Sequence, residues 1–539
     1  MLCKFLLKEF LYLCPGIVVI FCIVGGCSPE HYKAEADKEV YQIIDNKWQE
    51  GFGSKVNYKV SDVPASANDI QIENVVSSSN VITLTEAVAM ATAHNRGYQT
   101  QKEALYLSAL SLTDERHKYA RQWFGTIDGS YINEAGEEET LVGGSDRGLV
   151  GFDQLHLIGD GVLVSTGLAI DWVRFLSGDP RTSMRSVLSA TVTAPILGLG
   201  AGKLAREQLT QAERDVLYDI RSFNRYRQMF VVDVVTDYYN VLQLRDVVTN
   251  AENNYKRAVE SKERLEMESE AGRKSRIDVD EAEQNVLAAE SRVVAAQERY
   301  EQSLDAFKIS LSLPTDANVV LDQNELNVLE EMGVSEIGFT LDEAIETALL
   351  QRLDLHNSAD LIDDALRDVR LTAEGLGPEL NLTGGANVAS RQESNFSSLQ
   401  FNKGAYSLGF DADLPLDRKT QRNNYRRALI TLEQTQRNYE EDVDSIKLAV
   451  RGAYRRLKET ADRYEIEKNS LELAEERVQM NKVLLDAGRV ETRILLLSQD
   501  ALLEAQNNVT RALIEHLDAK LSFYRDVGIL QVRPDGMWE

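Results

Sequence analysis

Cysteine is the most reactive residue type in this chain of 539 residues. Its four copies, Cys3, Cys14, Cys22 and Cys27, all fall in the first 27 positions. That excludes a disulfide scaffold and a cysteine-ligated zinc site in the remainder. One covalent reaction is left. A weak basic start, Lys4 and Lys8, precedes an apolar run from Phe10 to Val24, and Val24-Gly25-Gly26-Cys27 follows. The run is short for a membrane span and has the form of an export signal. A small residue before a cysteine resembles a lipobox, in which Cys27 is lipidated after cleavage. A plain signal peptide or a short anchor is the blander reading. Ser28 is compatible with sorting to the outer membrane.

Other chemistry is absent by spacing. His31, His94, His117, His156, His356 and His516 form no His-x-x-x-His or His-Glu pair. Gly198-Leu-Gly-Ala-Gly-Lys203 has Leu204 where a phosphate loop needs Ser or Thr. Lys203 also stands where the dinucleotide fingerprint needs its third glycine. No Gly-x-Ser-x-Gly elbow exists. Nothing calls for a cofactor, a metal or catalysis. A net charge of −27 argues against a nucleic-acid partner, because phosphate binding needs a basic surface.

The elements that position the remaining polar residues come from a duplication. Thr83-Leu-Thr-Glu-Ala-Val88 is echoed by Thr340-Leu-Asp-Glu-Ala-Ile345 at an offset of 257, with Thr85 or Asp342 as the expected N-cap. A second offset, 216, pairs Ala271-Gly-Arg273 with Ala487-Gly-Arg489. It also pairs Val234 with Val450, Tyr238 with Tyr454 and Phe307 with Phe523, without a gap. The two copies cover about 83–314 and 340–530.

Val279, Ala282, Val286, Ala289, Val293, Ala296, Tyr300, Leu304, Phe307 and Leu311 step by three or four residues. Leu495, Ser498, Leu502, Ala505, Val509, Ala512 and His516 repeat the stripe in the second copy. This is coiled-coil periodicity. Proline-free segments at 203–270 and 420–486 precede each Ala-Gly, and each would run roughly 100 Å as a helix. Gly272 and Gly488 then supply the left-handed cap of a long helical hairpin.

Between the helices the period changes to two. Leu380, Leu382, Gly384, Ala386 and Val388 alternate with Glu379, Asn381, Thr383 and Asn387. Tyr406, Leu408, Phe410, Ala412 and Leu414 alternate with Ser407, Gly409, Asp411 and Asp413, up to Pro415. In the first copy, Leu188, Ala190, Val192 and Ala194 alternate with Ser189, Thr191 and Thr193, up to Pro195. Strands of near ten residues with one apolar and one polar face fit a transmembrane barrel; a half-buried soluble sheet is the alternative. About 40 further residues around 133–180 hold the acidic 134–139 run and another alternating stretch, Val162 to Trp172. Which of these strands would enter a membrane is left open.

Helix, strand pair and long helical hairpin, twice over, resemble the TolC outer-membrane efflux family across about 82–530. The expected fold is mostly α with a small β part. It comprises two long antiparallel coiled-coil hairpins plus strand pairs. The resemblance implies a homotrimer with four strands per chain, forming a 12-stranded β-barrel continuous with an α-helical barrel. The expected divisions are a signal at 1–26, an N-terminal periplasmic segment at 27–81, the first repeat at 82–314, a linker at 315–339, the second repeat at 340–530 and a tail at 531–539. The resemblance implies a passive efflux or type I secretion duct in the outer membrane. It would be lipid-anchored at Cys27 and reach into the periplasm. Its partners would be outer-membrane lipid, a periplasmic adaptor and an inner-membrane pump. Gly272, Arg273, Ser275, Gly488, Arg489 and Thr492 would meet the adaptor. Some members carry an acidic ring after the second tip, but here Ile494 and Leu497 occupy those positions. The first-copy counterparts, Asp278 and Glu281 with Asp280 beside them, offer an acidic entrance instead, and Asp411 and Asp413 could line the channel. The rival reading is an envelope coiled-coil scaffold lipoprotein without a pore.

Overall fold

The computed structural model describes residues 28–60, 81–126, 128–134, 137–143, 150–159, 161–175, 182–334, 338–390, 398–414 and 416–533. The signal, Cys27 and Pro415 lie outside the described residues. Two compact units are present. One comprises Met1–Trp48, Tyr106–Leu217 and Pro378–Leu414; the other comprises Gln49–Leu105, Tyr218–Gly377 and Pro415–Glu539.

The first unit is built on a sheet. Its strands are β2 (Arg121–Gly125), β3 (Asp128–Glu134), β4 (Glu137–Gly143), β5 (Val150–Ile158), β6 (Val162–Phe175), β7 (Thr182–Leu197), β9 (Glu379–Ala389) and β10 (Ala405–Asp413). All pairings are antiparallel, in the order β10-β9-β7-β6. Beyond β6, the two segments β5 and β4 lie end to end along its other edge. β2 pairs with β5, and β3 pairs with β4. The sheet therefore holds eight named strands, twice the four implied by the family layout; of the four extra ones, β4 and β5 lie in the insert and β2 and β3 lead into it. Pro195 does not end its strand as expected. β7 runs on to Leu197, with a register shift between Pro195 and Leu197. Such a bulge accommodates a residue that cannot donate to the ladder.

Helix α1 (Pro29–Lys47) belongs to this unit and is tied to it by polar contacts. Tyr106 donates to Asp37 at 2.9 Å, and Glu213 receives both Lys47 at 2.5 Å and Arg116 at 2.6 Å. The glycines at 198–202 are packing residues. A Cβ on Gly202 would stand 1.9 Å from the Gly161 carbonyl oxygen, so only glycine permits this approach of helix start to strand turn.

The second unit is helical. It includes α2 (Leu84–His94) and most of the hairpin α4 (Ala201–Glu270) and α5 (Arg276–Ser310). From the second copy come α7 (Leu341–Gln351), α8 (Leu353–Glu374) and the hairpin α9 (Lys419–Asp486) and α10 (Thr492–Val527). Between the copies, α6 (Asn324–Met332) follows a two-residue parallel bridge of β1 (Val81–Ile82) with β8 (Val320–Leu321). α3 (Arg96–His117) follows α2. The expected long helices, 203–270 and 420–486, are seen within two residues of their predicted starts. The N-caps are Thr83 and Thr340 rather than Thr85 and Asp342. Each closes a capping box with the glutamate three residues on, Glu86 or Glu343, so two free amides at the helix start are satisfied together.

Packing reproduces the duplication. Tyr238 meets Phe307 and Tyr454 meets Phe523, each with ring centroids 6.0 Å apart and edge to face. The heptad residues Val279, Ala282, Ala289, Ala296 and Phe307 are buried, as are Leu495, Ser498, Leu502, Ala505, Ala512 and His516. In the second copy Ala344, Ala348, Ile446, Val450, Leu457, Ala519, Phe523 and Val527 form one core across α7, α9 and α10. Among the described residues no helix is long and apolar enough to cross a membrane.

Candidate functional site

The first candidate surface is the sheet. Residues directly opposite on paired antiparallel strands share a face. One face carries Tyr406, Leu408, Phe410 and Ala412 on β10, and Leu380, Leu382, Ala386 and Val388 on β9. It continues with Leu188, Ala190, Val192 and Ala194 on β7, and Val162, Val164 and Leu168 on β6. Single rungs run across all four strands, such as Leu408-Gly384-Val192-Val164. Much of this face is exposed, Leu408 by 81% and Phe410 by 77%, while Val388 at its other end is buried. A contiguous, exposed apolar sheet face marks an interaction surface.

The opposite face is polar. Asp411 stands opposite Asn381, Asp413 opposite Glu379, Thr383 opposite Thr193, and Thr191 opposite Ser165. Asp411 and Asp413 are thus on one face with Glu379, as their alternation predicts, and both are exposed. Asp153 on β5 joins the same face. A Cβ on Gly167 would lie 2.5 Å from Asp153 Oδ1 and 2.9 Å from Ser189 Oγ, so the bare glycine leaves room for both polar side chains.

The second candidate surface is the pair of hairpin tips. Gly272 (φ +73°) and Gly488 (φ +70°) both adopt the left-handed conformation. In each turn the next residue donates back across the helix end: Arg273 N to Glu268 O and Arg489 N to Leu484 O, both 2.8 Å. This is the Schellman closure. Arg273 and Arg489 are exposed beside these glycines. Ser275 is the N-cap of α5 and is exposed, but its hydroxyl is engaged. It accepts from Asp278 N at 3.2 Å and donates to Asp278 Oδ2 at 2.8 Å. Asp278 is thereby committed to the cap, whereas Asp280 and Glu281 are exposed. Asp280 reaches Arg276 at 3.4 Å. Thr492 differs from expectation: it is 1% exposed, because it starts the buried stripe of α10. Any contact at that tip falls to Arg489 and its exposed neighbours Glu491 and Arg493.

Sequence reasoning missed a polar seam between the two copies. Asp246 accepts from Thr510 at 2.9 Å, and Asn250 donates to Asn507 at 3.1 Å. Arg292 grips Asp500 with two bonds of 2.6 and 3.1 Å. Near the tips Arg264 reaches Asp486 at 3.0 Å. Burial raises the Asp246 carboxyl above its usual range, against the lowering by its two hydrogen-bond donors. His516, facing Thr460 Oγ1 at 3.3 Å, is pushed below its usual value by burial and then by Lys520. Heptad reading gives each copy its own stripe but carries no information on which copy's polar residues meet. Asn, Thr and Asp recurring on the flank of α4 were the available signal. Among the described residues no cluster of His, Cys, Asp or Glu is arranged to hold a metal ion.

Comparison with known proteins agrees with this geometry. The chain resembles the solved structure of the CmeC outer membrane channel of Campylobacter jejuni, with 14% identity and a TM-score of 0.58. That match covers 88% of this chain and 91% of CmeC. It resembles the open state of the MtrE outer membrane channel of Neisseria gonorrhoeae at 14% identity and a TM-score of 0.57, over 87% and 93% of the two chains. The outer membrane protein VceC of Vibrio cholerae matches at 11% identity and a TM-score of 0.58, over 83% and 96%. At such identities these likenesses establish the fold. No curated protein sequence matches the chain. The family model for outer membrane efflux proteins matches residues 162–310 and 344–528, taking in the β6–β7 strands and both hairpins, and the chain belongs to the outer membrane efflux protein family.

Proposed function

We propose that the chain is one subunit of a homotrimeric outer-membrane channel. It serves as the passive exit duct of a tripartite export system, for efflux or type I secretion. The observation that carries this reading is the two-faced sheet. Its apolar face suits lipid, its polar face with Asp411 and Asp413 suits a water-filled lumen, and an open sheet in lipid must close on something. The expected twelve strands correspond to β6, β7, β9 and β10 from each of three copies. The helices support a trimer as well. Ile466, Leu473 and Met480 recur every seven residues along α9 and are each more than 60% exposed, an apolar stripe that a second copy would cover.

Lipid attached at Cys27 tethers the chain to the outer membrane, and the helical hairpins reach into the periplasm. Gly272 and Gly488 shape the tips. Arg273, Ser275 and Arg489 meet the adaptor, Thr492 supports them from within, and an inner-membrane pump supplies the energy. Asp280 and Glu281 form an acidic entrance, with Asp278 held in its cap. The test is reconstitution of the purified full chain in planar bilayers, with heat-modifiable trimers on gels. Stepwise ion conductance is expected. A chain that becomes soluble and non-conducting after Cys27→Ala leaves the pore-free scaffold as the better reading.

A further inference from the structure

We infer that the start of α9 is a membrane-contact surface that holds the phosphates of anionic phospholipid headgroups. This rests on the channel reading above and adds a partner to it. The distribution of charge carries it. Residues 418–432 hold Arg418, Lys419, Arg422, Arg426 and Arg427 and no carboxylate, in a chain of net charge −27. All of these cations are exposed. At the offset of 216 the first copy has Lys203 for Lys419 and Arg206 for Arg422. It also has Glu207, Glu213 and Asp215, which balance Lys203, Arg206 and Arg214. Arg206 is moreover used within the chain, where it donates to Gly159 O at 2.7 Å. The uncompensated charge therefore belongs to the second copy alone and is not a by-product of the duplication.

Among the described residues, Lys419, Arg422, Arg426 and Arg427 form no ion pair. Arg422 donates to Asn423 Oδ1 at 3.3 Å and Arg427 to Asn424 Oδ1 at 3.0 Å, and both partners are neutral. Leu376, Asp417, Arg418, Lys419 and Arg422 line a cavity of 570 Å³. Asp417, its one carboxylate, accepts from the backbone amide of Lys419 at 3.1 Å and is committed to the helix start. Three cations against one carboxylate suit the cavity to an anion. Guanidinium groups match pairs of phosphate oxygens, and an ammonium adds a point charge. These side chains, not the amides of the helix start, supply the charge.

The place of the cluster in the chain selects a lipid surface over a free anion. Only residues 414–418 separate Asp413, the last residue of β10, from Lys419, the first of α9. Asp413 pairs with Glu379, the first residue of β9, and α8 ends at Glu374. Both junctions of helix and strand in the second copy thus belong to one end of the sheet. Leu414 and Leu416 extend the even-numbered apolar alternation of β10, and they are 66% and 99% exposed. Exposed leucines followed at once by uncompensated cations fit the boundary between acyl chains and headgroups. Long basic side chains reach phosphates there, and an anionic leaflet attracts them.

The test uses the full chain reconstituted in vesicles of phosphatidylglycerol and phosphatidylcholine in equal amounts. After extraction in mild detergent, native mass spectrometry counts the lipids retained. The unaltered chain is expected to retain phosphatidylglycerol in excess. Lys419→Gln, Arg422→Gln, Arg426→Gln and Arg427→Gln together should lower that preference by about tenfold or more, since each basic residue beside an anionic surface contributes roughly fivefold. Arg422→Lys, Arg426→Lys and Arg427→Lys together keep the charge and should keep the preference. The same charge removed further along α9, by Arg437→Gln, Arg451→Gln, Arg455→Gln and Lys458→Gln at exposed positions, should leave it unchanged. Equal loss in the two glutamine variants overturns the inference, as does the absence of a preference in the unaltered chain. Loss of the preference in inorganic phosphate, at constant ionic strength, assigns the cluster to free anions and overturns it too. Conductance of the same samples in planar bilayers separates the two readings. A conducting chain without lipid preference loses this surface and keeps the channel; a chain with neither loses both.

Discussion

The two hairpin tips share a backbone and differ in chemistry. Gly272 and Gly488 have φ values within a few degrees of each other, and the same back-donation closes both turns at 2.8 Å. Past the turn the copies part. The first tip starts its return helix with a Ser275–Asp278 capping box and exposes Asp280 and Glu281. The second starts with Glu491, which makes no side-chain cap, and exposes Ile494 and Leu497. A left-handed turn has one inexpensive solution, glycine, so both copies retain it. Exposed residues beyond it are under no such geometric demand and can serve different contacts. The strands show the same contrast. Both copies keep a two-faced pair, while only the first carries the insert that occupies the β6 edge.

The largest effects should show how far the copies remain equivalent. Val192→Arg in the first copy and Leu408→Arg in the second should each cost about 2–4 kcal/mol if both face the hydrocarbon midplane. Denaturant unfolding from lipid vesicles measures this, and a near-neutral result at either position removes that strand from the lipid face. Gly272→Val and Gly488→Val should each cost about 1–2 kcal/mol through the left-handed backbone, read as paired losses in thermal stability. Unequal losses would mean that one tip relaxes its turn.

The copies also differ at His516, whose counterpart is Tyr300. The folded chain holds this imidazole below its ordinary value, so the unfolded chain binds its proton first as pH falls. The stabilising effect is fully present above about pH 6.5 and is lost on acidification below it, by at most about 1.4 kcal/mol per pH unit. His516→Tyr should flatten that part of the stability profile; an unchanged profile assigns it to other groups. Ser275→Ala should cost about 1 kcal/mol, while Glu491→Ala should cost close to nothing, since only the first tip has a side-chain cap. Equal melting shifts for the two would erase the distinction. Smallest of all, Asp280→Asn with Glu281→Gln should lower cation preference in bilayer recordings by less than tenfold, because both carboxylates are exposed and screened. Ile494→Asp with Leu497→Asp should raise it.

Much of this was legible in the chain. The long helices, their glycine turns and the duplication follow from 3.5-residue periodicity and a constant offset, both properties of contiguous residues. The N-caps were nearly readable. Thr83-x-x-Glu86 and Thr340-x-x-Glu343 are capping boxes, but the carboxylate in the first turn drew attention to Thr85 and Asp342 instead. Pro195 misled for a physical reason. Proline removes one donor, and a bulge absorbs that loss without ending the strand. Thr492 misled because its polar type suggested exposure, whereas the register of α10 buries it.

By itself, the sequence determined which segments are helix and which are two-faced strand, where each hairpin turns, and that the unit occurs twice. Local periodicity and single-residue backbone preference suffice for that. Only the tertiary structure decided which strand lies beside which. The occupation of the β6 edge by β5 and the bonds joining Asp246 to Thr510 and Arg292 to Asp500 are contacts between residues far apart in the chain. A strand's alternation identifies its two faces but not its neighbours, because any two-faced strand offers the same backbone donors and acceptors along its edges.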